Sequence, residues 1–172
     1  MLFLATNACA SSVMLVPTSA TVGLLPGNMV SFDVVIDFSD VGGTLGGGLD
    51  VSFDSSAISL VSAVSAGLGE APYGRDPDSL DGLLESWAVG SFTGLGDNMP
   101  LTLGTLIFEV LPGPGFGEGT LVTIGATNGV AGPWVSGTDF LTLISPNYNQ
   151  VQLLGVLPEP LFMDGFEIQP AR

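Results

Sequence analysis

The chain has 172 residues, with 17 aspartates and glutamates against two arginines, and it contains no lysine and no histidine. Its formal net charge of −15 repels phosphate backbones and anionic lipid head groups, so we expect no nucleic-acid partner. Without histidine no Ser-His-Asp or Cys-His triad can form, and the single cysteine excludes an internal disulfide.

The first ten residues have features of an export signal. Met1 to Leu4 is apolar, and Ala8-Cys9-Ala10 has the small-x-small form of a signal-peptidase site. Because no basic segment precedes the apolar run, we interpret residues 1–10 as the remnant of a signal that starts upstream. A frayed terminus is the alternative. No segment approaches the roughly 20 apolar residues of a membrane span, so we expect none.

Alternating apolar and polar residues predict short β-strands along the rest of the chain. In segment 29–38, MVSFDVVIDF, the apolar residues recur with period two rather than 3.6, and segment 101–110, LTLGTLIFEV, alternates in the same way. Turn residues recur about every 8–12 positions, which is typical of an all-β sandwich. The other predicted strands are 13–16 continued as 21–24 after a break at Pro17, then 49–53, 57–64, 84–92, 120–126, 135–144 and 150–157.

These strands define one β-sandwich domain over residues 11–157, followed by a flexible, proline-rich tail over 158–172. Segment 66–82 is polar and is predicted to be a long loop. We expect the apolar faces of the strands to pack together in one core. The predicted core residues are Phe32, Val34, Ile36, Val51, Phe53, Leu60, Leu106 and Phe108.

Segment 46–62, GGGLDVSFDSSAISLVS, predicts a half-buried strand with an acidic open face. Its apolar positions alternate with Asp50, Ser52 and Asp54, so we expect those three side chains on the side away from the core. The glycines 46–48 are expected to separate this strand from the one before it. The open face is the candidate partner-binding surface.

Asp76, Asp78 and Asp81 form a D-x-D-x-x-D-G pattern with Gly82. Oxygen ligands at alternating loop positions suit calcium, but an EF-hand loop has one residue fewer at this point, and Arg75 adds an opposing charge. Two interpretations remain open, a calcium site and a solvated acidic loop. We expect no other cofactor.

Four aromatic residues are candidates for stacking on sugar rings: Tyr73, Trp87, Trp134 and Tyr148. Sugar binding of this type needs at least two of them exposed in one plane. The alternative for both tryptophans is packing in the core, because large aromatic side chains supply much of the apolar area that a domain buries.

Three segments resemble the cohesin family. Phe53-Asp54 through Leu60 is similar to its aromatic-Asp pair, short turn and apolar strand. Segment 26–34, PGNMVSFDV, is similar to its turn and second strand, and segment 104–110, GTLIFEV, to a later strand. The resemblance runs from about Val13 to Leu157. It implies a nine-stranded jelly-roll sandwich, of the kind shared with some carbohydrate-binding modules, in an extracellular bacterial protein.

Cohesins bind dockerins, which are calcium-dependent helical modules on secreted enzymes that degrade polysaccharides. The resemblance therefore implies a non-catalytic binding or scaffolding module, expected to be a monomer, which attaches to a dockerin-like protein through Asp50, Ser52 and Asp54. The glycines 46–48 depart from the family, which places polar side chains at the start of this strand. The alternative is a carbohydrate-binding module that contacts polysaccharide through the four aromatic residues.

We expect no enzymatic activity. Asp33 and Asp37 share one face of one strand, but a strand rise of about 3.3 Å per residue separates them by roughly 13 Å. That distance is too long for a pair of carboxylates in glycoside hydrolysis.

Overall fold

The computed structural model describes residues 10–66, 73–113, 116, 119–129 and 131–156. The predicted export-signal remnant, except for Ala10, and the predicted tail over 158–172 lie outside the described residues. No helix in the described part of the chain is long and apolar enough to cross a membrane.

The regular structure of this part of the chain is almost all β-strand, and a short 3₁₀ turn spans Ser39–Val41. Its strands, in chain order, are β1 (Ser12–Pro17), β2 (Met29–Asp37), β3 (Thr44–Phe53), β4 (Ile58–Ser65), β5 (Tyr73–Arg75), β6 (Asp78–Leu80), β7 (Leu83–Leu95), β8 (Leu101–Val110), β9 (Thr120–Ala126), β10 (Trp134–Ser136), β11 (Leu143–Ile144), β12 (Asn147–Tyr148) and β13 (Gln150–Leu153).

The strands form two sheets, as the all-β sandwich prediction requires. The first sheet has the order β12-β1-β2-β8-β4, and the pair of β1 with β12 is parallel. The second sheet has the order β11-β10-β3-β7-β5. In addition, β6 pairs with β7, β9 pairs with the second half of β3, and β13 pairs with β9. This arrangement confirms the jelly-roll sandwich expected from the sequence, but the described residues form thirteen strands instead of the expected nine.

The core lies between the two sheets and follows the period-two pattern of β2 and β8. Phe32 and Phe108 are fully buried, with ring centroids 6.1 Å apart, and Phe53 approaches Phe108 to 5.0 Å. Six of the eight predicted core residues are fully buried, whereas Phe53 and Leu60 are partly buried against the core. Burial of these side chains supplies the main driving force for folding.

The strand β3 begins at Thr44, so glycines 46–48 lie inside it and do not separate two strands. Close contacts explain why this stretch carries no side chains. A Cβ on Gly46 would lie 2.1 Å from the Val89 carbonyl oxygen, and one on Gly47 would lie 2.6 Å from the Trp134 ring.

Three other strand predictions need correction. Within segment 66–82, the described residues form the short strands β5 and β6, which pair with β7 instead of remaining a loop. The predicted strand 135–144 is the β10–β11 hairpin, because the Asp139 carboxylate accepts backbone N–H groups of its turn. The predicted strand 21–24 contributes only a bridge from Leu24 to Gly155.

Candidate functional site

The outer surface of the second sheet is the open face that the sequence predicted beside β3. Leu49 and Val51 point into the core, so Asp50 and Ser52, which alternate with them along β3, point outward. Ser52 is exposed and lies directly opposite Thr123 of β9 and Leu83 of β7.

The pairing continues to β13, where Gln150 lies opposite Thr123 and Gln152 opposite Leu121. Both glutamines are exposed, and Leu121 is 44% exposed. We define the Ser52 face as this set of residues, none of which is charged although the chain carries a net charge of −15. Its members are Ser52, Leu83, Leu121, Thr123, Gln150 and Gln152.

The carboxylate of Asp50 accepts two hydrogen bonds from backbone groups of this chain. Its Oδ1 accepts the backbone N–H of Ser86 at 2.9 Å, and its Oδ2 accepts the backbone N–H of Asn128 at 3.0 Å. Ser86 lies at a bulge of β7, where the register with β3 shifts, and its φ is +62°. Asp50 therefore joins this bulge to the loop that follows β9.

Asp54 lies in the turn after β3 and not within the sheet. Its carboxylate accepts the hydroxyl and the backbone N–H of Ser56 at 2.7 and 2.8 Å. The hydrogen bond from the Ser56 hydroxyl, followed by that from its N–H, lowers the pKa of Asp54. Of the three predicted partner-binding residues, Asp50 and Ser52 lie on the open side of β3, but the Asp50 carboxylate already accepts two backbone N–H groups, and Asp54 lies in the turn.

The loop that follows β9 packs against the glycines of β3. The sequence did not predict this contact. A Cβ on Gly48 would lie 2.2 Å from the Cβ of Ala131, and the Gly48 N–H donates to the Gly132 carbonyl at 3.2 Å. Gly129 approaches the Ser86 hydroxyl so closely that it too has no room for a Cβ. The Thr-Asn-Gly sequence at 127–129 is typical of a turn, but it does not reveal where the turn packs.

The three aspartates of the predicted calcium segment have different surroundings in the structure. Asp78 pairs with Arg75, the Ser65 hydroxyl donates to Asp76, and Asp81 lies in the turn between β6 and β7. No group of three or more acidic, histidine or cysteine side chains within the described ranges is placed to hold a metal ion. Calcium needs six to eight oxygen ligands around one point, so the calcium interpretation stays a prediction.

Both tryptophans pack in the core, which corrects their assignment as glycan-stacking candidates. Trp87 is 3% exposed and Trp134 is 2% exposed, so neither presents a ring face to a sugar. Their indole N–H groups donate to the hydroxyls of Ser65 and Tyr148, each at 3.2 Å. Tyr148 is half-buried, while Tyr73 pairs with Gly90 and its side chain lies outside the described part of the structure.

Solved structures of cohesin domains share this fold. The seventh type I cohesin of scaffoldin B from Pseudobacteroides cellulosolvens has a TM-score of 0.63 at 11% identity, covering 88% of this chain and 96% of that one. The sixth cohesin of scaffoldin B from Acetivibrio cellulolyticus, solved with a Cel5 dockerin, has a TM-score of 0.61 at 15% identity, covering 85% and 99%.

A type III cohesin from a cell-surface anchoring scaffoldin of Ruminococcus flavefaciens has a TM-score of 0.59 at 11% identity, covering 85% of this chain and 88% of that one. No protein-family profile matches the sequence. No curated protein sequence matches it significantly. At these identities the similarity shows that the chain has the cohesin fold, as its strand patterns predicted.

Proposed function

We propose that the chain is a non-catalytic attachment module that binds a protein partner through the Ser52 face. The observation that carries this proposal is an open sheet surface without charged residues, on a cohesin fold, in a chain whose formal net charge is −15. Residues at the centre of protein interfaces are depleted of charge, because each buried charge must be desolvated. The Ser52 face combines apolar area from Leu121 with neutral hydrogen-bonding groups from Ser52 and the two glutamines.

The partner that we propose is a dockerin-like module. Several cohesins with this fold were solved in complex with dockerins, among them those from Acetivibrio cellulolyticus and Clostridium thermocellum. The setting that we propose is the secreted or cell-surface fraction of a bacterium that degrades polysaccharides. The absence of histidine from the whole sequence supports a module without catalytic function.

The internal role of Asp50 and the covered glycines 46–48 narrow the proposed contact surface. The loop after β9 occupies the outer side of β3 at Gly48, so the start of that strand is not open to a partner. The second half of β3 and its neighbours β9 and β13 remain open. We therefore place the centre of the proposed contact at Ser52 and Thr123, and not at the start of β3.

A pull-down from the secreted fraction of the source organism tests this proposal. The immobilised full chain is expected to retain a dockerin-bearing protein with calcium and to release it with a chelator. Retention of no such protein, or retention that calcium does not affect, would contradict the dockerin assignment.

Two arginine variants test the face itself. Ser52→Arg places a charge and a long side chain at the centre of the surface, and we expect it to weaken binding by about tenfold or more. Ser62→Arg is the matched control, because Ser62 lies opposite Ile107 on the outer side of the first sheet. Equal effects from both variants would show that the Ser52 face is not the contact surface.

A further inference from the structure

A cavity of about 350 Å³ lies beside the loop that follows β9, between that loop and the segment from Ile144 to Tyr148. The volume is near the lower end of the range of about 300–1,000 Å³ found for small-molecule sites. The walls are largely apolar and include both an indole and a phenol ring. The principal wall residues are Ala126, Pro133, Trp134, Ile144, Pro146 and Tyr148.

The phenol of Tyr148 is held by a hydrogen bond that its oxygen accepts. Its oxygen accepts the indole N–H of Trp134 at 3.2 Å, and the buried Trp134 ring fixes the direction of that bond. No residue in the described part of the chain accepts the hydroxyl hydrogen of Tyr148. Because Tyr148 is half-buried and lines the cavity, this hydrogen is available to water or to a bound ligand.

The phenol remains protonated under ordinary conditions, so it can act as that donor. Burial raises the pKa of Tyr148; the hydrogen bond from Trp134 opposes this rise, and the negative charge of Asp50 adds to it. The same charge disfavours an anionic ligand, and no lysine or arginine is among the described residues that line the cavity.

These properties select one class of ligand. A purely apolar molecule would leave the Tyr148 donor without an acceptor when it displaced water, which carries a free-energy cost. An anion would meet the field of Asp50 without a compensating cation. A neutral saccharide ring has C–H surfaces that suit the proline and aromatic walls, and hydroxyl oxygens that can accept from Tyr148.

We propose that this cavity binds one neutral saccharide unit, oriented by a hydrogen bond from the Tyr148 hydroxyl to an oxygen of the sugar. The site differs from the flat row of exposed aromatics that the sequence suggested, because the Trp134 ring serves as a buried wall and not as a stacking platform. It is also separate from the Ser52 face, so the proposal does not depend on the proposed protein partner.

The two tryptophan indole N–H groups provide an internal reference for the test. They give two signals in the ¹H–¹⁵N spectrum of the labelled full chain, one bonded to Tyr148 and the other to Ser65 on β4. We would titrate glucose, galactose, xylose, N-acetylglucosamine and cellobiose to about 10 mM, a concentration that detects millimolar dissociation constants. At least one sugar should shift the Trp134 signal saturably and leave the Trp87 signal in place.

Two variants then test the contacts. Tyr148→Phe keeps the ring but removes the donor, and should weaken binding by about tenfold. Ala126→Phe should fill the cavity and abolish binding, whereas Ala20→Phe, at an exposed site between β1 and β2, should not.

The proposal is overturned if no sugar moves the Trp134 signal, or if both indole signals move together. It is also overturned if Ala126→Phe binds sugar as the unmodified chain does. If Tyr148→Phe fails to fold, the comparison of Ala126→Phe with Ala20→Phe decides. Ser52→Arg should bind sugar normally, so failure of this proposal and failure of the proposed protein-binding role give different results.

Discussion

The Asp50 carboxylate accepts the backbone N–H of Ser86, a buried residue whose φ of +62° is unusual for a side chain other than glycine. β7 has a bulge here, in which the two residues Glu85 and Ser86 lie opposite the single residue Asp50 of β3. The bulge directs the backbone N–H of Ser86 toward the Asp50 carboxylate. Since the second carboxylate oxygen binds Asn128, one side chain connects β3, β7 and the loop after β9.

We expect Asp50→Ala to lower the free energy of unfolding by about 1–3 kcal/mol, because two backbone donors lose a charged acceptor. Urea unfolding followed by circular dichroism measures the change. Ser52→Ala, two residues along the same face and exposed, is the matched control and should change stability by less than about 0.5 kcal/mol. Equal effects of both variants would mean that the Asp50 bonds contribute nothing specific.

Glycines at three positions of the second sheet should respond differently to one added methyl group. Gly47→Ala and Gly48→Ala place a Cβ 2.6 Å from the Trp134 ring and 2.2 Å from the Cβ of Ala131. Overpacking of this kind costs about 1–3 kcal/mol, and we expect a corresponding fall in the free energy of unfolding.

Gly125→Ala is the control for this series. No atom lies within 4 Å of its added Cβ, so we expect the variant to be neutral or slightly stabilising. Thermal and urea unfolding of the three variants, measured together, test the difference. Loss of stability in Gly125→Ala alone would contradict the packing described for glycines 46–48.

The Asp139 turn of the β10–β11 hairpin should contribute a pH-dependent stabilisation. The hydroxyl of Thr142, and then the backbone N–H groups of Thr142 and Leu141, lower the pKa of Asp139 to about 2 from a usual value of 3.8. Because the folded pKa is depressed, the stabilisation is fully present above 3.8 and is lost as the pH falls through about 2.

Asp139→Asn removes the titrating group. The difference in melting temperature between the unmodified chain and this variant should therefore shrink as the pH falls from 3.8 to about 2. A direct NMR titration of the Asp139 carboxyl carbon should show the lowered pKa. A midpoint near 3.8, with a difference in melting temperature that does not vary with pH, would contradict the hydrogen-bonded turn.

The aromatic cluster at the centre of the sandwich should dominate stability. Phe108 is fully buried between Phe32 and Phe53, so we expect Phe108→Ala to cost about 3–5 kcal/mol through lost burial and an unfilled cavity. Leu141→Ala, at a position that is 85% exposed, should change stability by less than about 0.5 kcal/mol. Urea unfolding of both variants and of the unmodified chain measures the two losses of unfolding free energy. Comparable losses would contradict the central role of the aromatic cluster.

The alternation of apolar residues by itself determined the two-layer architecture. In 29–38 and 101–110 a period of two places every second side chain on one face, and that face must be buried wherever the chain folds. This reasoning identified Phe32 and Phe108 as core residues before any contact was known. It also placed Ser52 on an open face, because a side chain between two inward neighbours on a strand must point outward.

Only the tertiary structure decided what the polar and glycine residues of β3 do. The donors to Asp50 lie 36 and 78 positions away along the chain, so no local pattern indicates that its carboxylate is already engaged. The sequence predicts that glycines 46–48 separate two strands, because it does not show that Trp134 and Ala131 occupy the space beside them. Burial follows from periodicity within one segment, whereas hydrogen-bond partners and close contacts depend on which distant segments the fold brings together.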